Sequence, residues 1–185
     1  IGQGLESLAP RLGIAQDLPP ATARMLRALN RANPDGSAAR VGPPEVPLLD
    51  TTLLTNARGE PSLSRAIGTE IESADRIDAI IAFIRFTGIR PLLEALSRHT
   101  AQGKPLRVLT TTFTNSTEPR ALEALRDIGA QIRISYDTKT TRLHAKSWIF
   151  HRHSGASTGY VGSSNLSHAG QVMGQEWNIR VSGRR

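Results

Sequence analysis

The interpretation of this chain depends on the stretch Leu143-His144-Ala145-Lys146-Ser147-Trp148-Ile149-Phe150. Two further motifs follow it, GSSN at residues 162–165 and EWN at residues 176–178. The first stretch has the composition of a β-strand, in which alternate side chains lie on one face. His144 and Lys146 would therefore point the same way, with their Cα atoms roughly 6.6 Å apart. An imidazole and an ammonium group placed in this way can bind one phosphate together.

Two further segments bring polar groups toward this pair. Residues 160–161 predict the next strand, after which Gly162 allows a tight turn and Asn165 offers a neutral hydrogen-bond donor. Apolar and polar residues alternate over 176–181, which predicts a strand with an apolar face toward the core and a polar face outside. Glu176 on the polar face can accept a hydrogen bond from an imidazole and fix its tautomer. The other polar residues of this segment are Asn178 and Arg180.

This arrangement resembles the signature of the phospholipase D superfamily, which is His-x-Lys, four residues, Asp, and later Gly-Ser-x-Asn. His144 and Lys146 match the first pair, and Glu176 lies where the family has a late acidic residue. The second block is matched by Gly162, Ser163 and Asn165. The chain departs from the signature at His151, where the family has Asp, and residues 153–158 lengthen the interval before the second block.

Residues 50–182 are more specifically similar to the single-motif domains that lie N-terminal to bacterial DEAD/DEAH-type helicases. The resemblance implies an α/β fold, a phospholipase D-like mixed-sheet sandwich with flanking helices, over residues 50–185. Residues 1–49 are then an N-terminal extension with a short helix and a Pro-rich linker. Since the chain starts at Ile1 and stops just after the last predicted strand, we expect a fragment of a larger protein with a covalently linked helicase domain.

The resemblance also implies a mechanism. His144 would attack phosphorus to form a phosphohistidine, Lys146 and Asn165 would stabilise the developing charge, and Glu176 would orient the imidazole. The predicted substrate-binding residues are Ser163, Ser164 and Arg142. No cofactor and no metal are expected, and the prediction is a metal-independent phosphodiesterase, a DNA nuclease. Because each chain has one copy of the motif, a two-fold homodimer would supply the second histidine.

Composition and charge support a nucleic-acid partner. The net charge is zero over residues 1–50 and +7 over residues 51–185, and from Lys139 onward seven basic residues face one acidic residue. A positive field attracts polyanions, and DNA is preferred here over RNA. Aromatic residues form only 4% of the chain, so base stacking is expected to contribute little. The absence of cysteine and of a long apolar run is typical of a bacterial cytoplasmic protein that avoids membranes.

Periodicity and punctuation predict alternating helices and strands before residue 143, and mostly strands and turns after it. Helices are predicted over Ala21–Arg31, Ser62–Ser73, from Pro91 to Gly103, and from Thr117 to Ile128. Strands are predicted over Ile77–Phe83, Leu106–Thr112 and Gln131–Ser135. Pro43, Pro44 and Pro47 mark the linker.

Other functions stay open at the level of the sequence. A nucleic-acid-binding module without catalysis is one alternative, because the Asp of the signature is missing. A lipid phosphodiesterase is another, disfavoured by the lack of an amphipathic membrane-docking segment. Four of the five histidines, at 144, 151, 153 and 168, suggest zinc, but they lack an established ligand spacing.

Overall fold

A single mixed β-sheet organises the computed structural model, which describes residues 34–37, 50–57, 62–140 and 142–183. Seven strands run in the order β1-β7-β6-β5-β2-β3-β4. Their bounds are β1 Thr52–Leu54, β2 Arg76–Ile81, β3 Leu106–Thr111, β4 Gln131–Ser135, β5 Lys146–His151, β6 Thr158–Gly162 and β7 Asn178–Ser182. The predicted helix over 21–31 and the Pro-rich linker lie outside the described residues.

The helices follow the predicted pattern closely. They are α1 Leu63–Ser73, α2 Phe86–Ile89, α3 Leu93–Ala101 and α4 Pro119–Asp127, with 3₁₀ turns at Arg90–Leu92 and Phe113–Asn115 and a π turn at Ala169–Met173. Ser62 caps α1, since its hydroxyl accepts a hydrogen bond from the Arg65 N–H at 3.3 Å. Gly103 and Gly129 follow α3 and α4 with φ of 72° and 90°, so each stops its helix as predicted. No helix in the described part of the chain has the length and apolar character needed to cross a membrane.

The parallel and antiparallel halves of the sheet correspond to the two halves of the sequence. β2, β3 and β4 are parallel to one another. The helices α2 and α3 connect β2 to β3, and α4 connects β3 to β4, so each strand starts at the same edge of the sheet. β5, β6 and β7 follow as antiparallel neighbours, and β1 closes the other side against β7. The predicted α/β class with a mixed sheet and flanking helices is confirmed.

The two faces of the sheet differ sharply in burial. We call the face that packs against the helices the covered face, and its buried core includes Ile77, Phe150 and Tyr160 of the strands with Ile67 and Leu96 of the helices. We call the other the open face. It leaves large apolar side chains exposed on four adjacent strands: Leu53, Ile149, Val161, Ile179 and Val181.

Strand β7 corrects one prediction from periodicity. The sequence alternation predicts that the apolar side chains of 176–181 face the core and the polar ones face solvent. The structure reverses this: Arg180 is 0% exposed and Asn178 is buried, whereas Ile179 is 47% exposed and Val181 is also exposed. The period of two is right and the direction of the faces is wrong.

A buried carboxylate explains the reversal. Glu70 of α1 accepts hydrogen bonds from Arg180 Nε at 2.8 Å and from the Tyr160 hydroxyl at 3.0 Å, and it also pairs with Arg152. Burial raises the pKa of Glu70, but the charges and hydrogen bonds of Arg152 and Arg180 outweigh burial and hold that pKa below its ordinary value. Arg180 is therefore buried as one partner of an ion pair, and its apolar neighbours on the strand must face the other way.

Candidate active site

Four chain segments meet at one edge of the sheet and bring the predicted site residues together. They are the segment after β2, the start of β5, the end of β6 and the start of β7. Ile81 pairs with Lys146, and Gly162 pairs with Asn178, so these ends are level with one another. Ligands of sheets with parallel strands bind outside the carboxyl ends of those strands, and β2 and β3 end at this edge.

His144 and Lys146 are in direct contact. Lys146 Nζ lies 2.9 Å from Nδ1 and 3.1 Å from Nε2 of His144, and it donates to the His144 carbonyl oxygen at 2.7 Å. The imidazole is exposed to solvent, whereas Lys146 is only 7% exposed. An exposed imidazole thus has a cation fixed beside it.

The strand prediction for this pair is right for Lys146 and wrong for His144. β5 begins at Lys146, and His144 lies in the segment just before it. Its neighbour Ala145 still follows the sheet, because the Ala145 carbonyl accepts a hydrogen bond from the Ala82 N–H at 3.0 Å. The two side chains meet because the lysine curls back to the histidine rather than by strand alternation alone.

Burial lowers the pKa of Lys146, because its ammonium group loses hydration beneath the imidazole. The negative charge of Glu176 acts in the opposite direction and is the smaller effect. A carboxylate therefore lies close enough to the reactive pair to influence it.

Phe83 is a site residue that the motif did not identify. Its ring lies edge-on to the His144 imidazole, with centroids 5.5 Å apart and planes at 67°, and Lys146 Nζ is 5.9 Å from the Phe83 centroid. The sequence contained a signal, since Phe83 ends the apolar run that predicts β2 and thus lies at the carboxyl end of a parallel strand. The ring supports the imidazole from one side.

The Gly-Ser block joins β6 to β7. A Cβ atom at Gly162 would lie 2.2 Å from the Trp177 carbonyl oxygen, so only glycine permits this approach. The next residue, Ser163, donates a hydrogen bond to the Glu176 carboxylate and accepts one from the Trp177 N–H at 3.1 Å. Ser163 thus holds Glu176 at the edge of the site.

Ser164 and Asn165 have different placements. Ser164 is buried, and its hydroxyl accepts a hydrogen bond from Asn178 Nδ2 at 2.8 Å. This hydroxyl joins two strand ends inside the protein, and contact of Ser164 with the substrate stays a prediction. Asn165 lies in the following loop, and its Oδ1 is buried with no hydrogen-bond partner in the described part of the chain.

Glycine also anchors the loop that carries Asn165. A Cβ atom at Gly88 of α2 would lie 2.2 Å from the Leu166 backbone, and the Arg85 N–H donates to the Leu166 carbonyl at 2.8 Å. The position of this loop therefore depends on its contacts with α2 and the residue before it.

The contacts of Glu176 refine its predicted role. The Glu176 carboxylate accepts a hydrogen bond from Ser163, and its negative charge raises the pKa of Lys146 against the larger effect of burial. Orientation of the His144 imidazole by Glu176 stays a prediction. Arg142, the remaining predicted substrate-binding residue, is exposed, and its guanidinium carbon lies 5.4 Å from the centroid of Phe113.

His151, which replaces the Asp of the signature, lies far from this site. It ends β5, roughly 20 Å along the strand direction from His144. Its Nε2 is 2.9 Å from Asp78 Oδ2 and 3.0 Å from Arg76 Nη2 on the open face. The departure from the signature therefore changes contacts at the opposite end of the strand. Among the described residues, no three His, Asp or Glu side chains group together as ligands of one ion.

Comparison with known proteins identifies the family. The family model described as "Cardiolipin synthase, PLD-like domain" matches residues 67–185. The chain belongs to the phospholipase D-like family. The predicted superfamily is confirmed, and with it the predicted class of enzyme, a phosphodiesterase-type hydrolase. No curated protein sequence matches the chain.

Solved structures show the same fold at low sequence identity. The phospholipase D family member Nuc from Salmonella typhimurium is 17% identical, with a TM-score of 0.54 over 73% of this chain and 85% of that chain. NucT from Helicobacter pylori is 12% identical, with a TM-score of 0.54 over 71% and 84%. Phosphatidylserine synthase from Haemophilus influenzae is 13% identical, with a TM-score of 0.52 over 80% of this chain and 38% of that chain.

Proposed function

We propose that this phospholipase D-like domain is a nuclease that hydrolyses phosphodiester bonds of DNA through a phosphohistidine. The observation that carries the proposal is the exposed His144 imidazole in contact with the nearly buried Lys146 ammonium group. The solvent-facing imidazole is available to attack phosphorus. The fixed cation beside it is available to a phosphoryl oxygen.

The reaction proceeds in two displacements. In the first, a His144 ring nitrogen forms a bond to phosphorus while the bond from phosphorus to the leaving oxygen breaks. Lys146 and the amide of Asn165 stabilise the charge that develops on the phosphoryl oxygens. In the second, water attacks phosphorus and releases the histidine. None of these steps is assigned to a metal ion, so we expect hydrolysis to continue with excess chelator.

A second proton-transfer group must protonate the leaving oxygen and then activate water. We propose that His144 of a second copy supplies it in a two-fold homodimer. The exposure of His144 at the edge of the sheet supports this, because an imidazole on the surface can approach a partner copy. Mixing His144→Ala chains with active chains tests it: shared sites predict that activity falls faster than the fraction of active chains.

Charge supports nucleic acid as the substrate. Residues 51–185 carry a net charge of +7, and exposed Arg142 lies two residues before His144 in the chain. Such a field attracts a polyanion and raises its encounter rate, which falls as salt rises. We propose DNA rather than RNA, and a helicase linked to this domain in a longer chain that would deliver DNA to the site.

Lipid phosphodiester cleavage is the second candidate. It is favoured by the description of the matching family, which names cardiolipin synthase. The reactive pair itself suits any phosphodiester, so the choice depends on what surrounds it. A third outcome, binding of nucleic acid without turnover, is also decided by the experiment below.

The test compares the unaltered chain with His144→Ala and with His153→Ala as a matched control. The His153 side chain is 91% exposed and pairs with Asp75 away from the site, so its loss removes a surface histidine only. Substrates are single- and double-stranded DNA, the same sequences as RNA, and anionic phospholipid vesicles, each with excess EDTA. We expect EDTA-resistant DNA cleavage that His144→Ala abolishes and His153→Ala retains.

Each other result has a definite meaning. Cleavage that persists in His144→Ala would reject the phosphohistidine mechanism. Head-group release from vesicles without DNA cleavage would favour the lipid function, and salt-sensitive DNA binding without any cleavage would favour a binding module. A covalent phosphoenzyme that is lost in acid and absent from His144→Ala would identify the nucleophile directly.

A further inference from the structure

An aromatic and basic cluster lies at the same edge of the sheet as the reactive histidine. Tyr136 directly follows β4 and is 73% exposed, although it is a large aromatic side chain. Phe113 follows β3, and the exposed Arg142 guanidinium lies over its ring at 5.4 Å. We call Tyr136, Phe113 and Arg142 the rim cluster.

A backbone hydrogen bond brings two of the segments that carry the rim cluster side by side. The Thr112 N–H donates to the Ser135 carbonyl at 3.2 Å, which places the residues after β3 next to those after β4. Beyond Tyr136 the chain turns at Asp137, whose carboxylate accepts hydrogen bonds from the N–H groups of Lys139 and Thr140 at 3.1 and 2.9 Å. It then returns to Arg142, two residues before His144.

The sheet order determines the distance between the cluster and the reaction centre. β4 is three strands from β5 in the sheet, or about 14 Å at the usual strand spacing. The carboxyl ends of β3 and β2 lie between the two positions. The rim cluster therefore lies on one side of His144, along the same edge of the sheet.

Core packing does not account for the exposure of Tyr136. The other tyrosine, Tyr160, is buried, and its hydroxyl donates to Glu70. The exposed apolar residues of the strands lie on the open face, whereas Tyr136 lies beyond a strand end. Exposed aromatic rings and a guanidinium group at one edge of a sheet are the combination that binds single-stranded nucleic acid.

We infer that the rim cluster stacks unpaired bases of a single strand whose phosphate lies at His144, so that single-stranded DNA is preferred over duplex. This rests on the proposed nuclease function. Bases in a duplex are already stacked on each other, so their faces are available to Tyr136 only when the strand is unpaired. Composition predicts little stacking because aromatic residues are few, but it cannot show that three groups suited to stacking lie at the same edge of the sheet as the site.

The test measures kcat and KM for a single-stranded oligonucleotide, for its duplex, and for bis(p-nitrophenyl) phosphate, which has no base. Variants are Tyr136→Ala, Tyr136→Phe and Arg142→Ala, with Arg126→Ala as control. Arg126 is an exposed arginine on α4 that pairs with Asp127, outside the rim cluster. We expect Tyr136→Ala to lower the ratio of single-strand to small-substrate kcat/KM about ten-fold, through KM, from the loss of one stacked base. Tyr136→Phe should restore the ratio.

The contrary outcomes are distinct. An unchanged ratio in Tyr136→Ala, or an equal loss in Arg126→Ala, would overturn the stacking inference while leaving the nuclease function standing. If no substrate is cleaved, the nuclease function fails, and binding of an oligonucleotide that contains 2-aminopurine then decides the inference. Stacking on Tyr136 should quench this base with the unaltered chain and with Tyr136→Phe. Equal quenching with Tyr136→Ala would reject it.

Discussion

The covered and open faces of the sheet each contain some side chains whose polarity would suggest the other face. On the covered face, charged side chains lie in the interior beside the apolar core, with Glu70, Arg152 and Arg180 as one network. On the open face, valine and isoleucine side chains remain exposed on β5, β6 and β7. Burial in this protein therefore depends on the available partner as much as on polarity.

The largest difference between the two faces is expected when their charged pairs are broken and the free energy of unfolding is measured. Removal of the carboxylate in Glu70→Ala takes away the negative charge that pairs with buried Arg180, and we expect a loss of about 3–5 kcal/mol in the free energy of unfolding. Asp78→Ala on the open face breaks pairs with Arg107 and Arg76, which are partly exposed, and should cost about 1 kcal/mol or less. Urea unfolding measures both. Equal losses would contradict the difference between the faces.

Neighbouring residues on β5 give the same comparison for apolar side chains. Phe150 is fully buried between Trp148 and Tyr160, with its ring 6.0 and 5.9 Å from theirs. Phe150→Ala should cost about 3–5 kcal/mol, because it removes a large core side chain. Ile149→Ala, one residue away on the open face, should cost clearly less. A similar loss for Ile149→Ala would show that another part of the protein packs on the open face.

Acid should affect the covered face through Glu70. Its folded-state pKa lies below the ordinary value of 4.5, so its contribution to stability is complete above pH 4.5 and is lost as the pH falls through the lower folded pKa. Unfolding measured from pH 6 down to pH 2 should show this loss, and Glu70→Gln should flatten it. If Glu70→Gln has the same pH dependence as the unaltered chain, Glu70 does not contribute to the acid transition.

The smallest effect is expected from polar substitutions on the open face. Val161 and Ile179 are cross-strand partners, and threonine keeps their β-branched shape while adding a hydroxyl. The double variant Val161→Thr/Ile179→Thr should change the free energy of unfolding by about 0.5 kcal/mol or less and should reduce binding of an apolar dye. A loss above about 2 kcal/mol would show that this face is buried in solution.

Much of the fold was predictable because its signals are local. Apolar runs, the Ser62 cap and the glycines after α3 and α4 mark elements within a few residues of themselves, and β4 was predicted with its observed bounds. Periodicity in β7 was equally clear but cannot show which face is buried. That depends on Glu70, which lies more than 100 residues away in the chain.

The candidate site divides in the same way. From the sequence alone one could predict the histidine and lysine pair, the Gly-Ser-x-Asn block and the late acidic residue, because their types and spacing carry the chemistry. Only the tertiary structure shows that Phe83 supports the imidazole, that Ser164 is buried, and that Arg142 lies over Phe113 at the rim. These facts depend on which strand ends come together, since sheet order sets contacts between residues far apart in the chain.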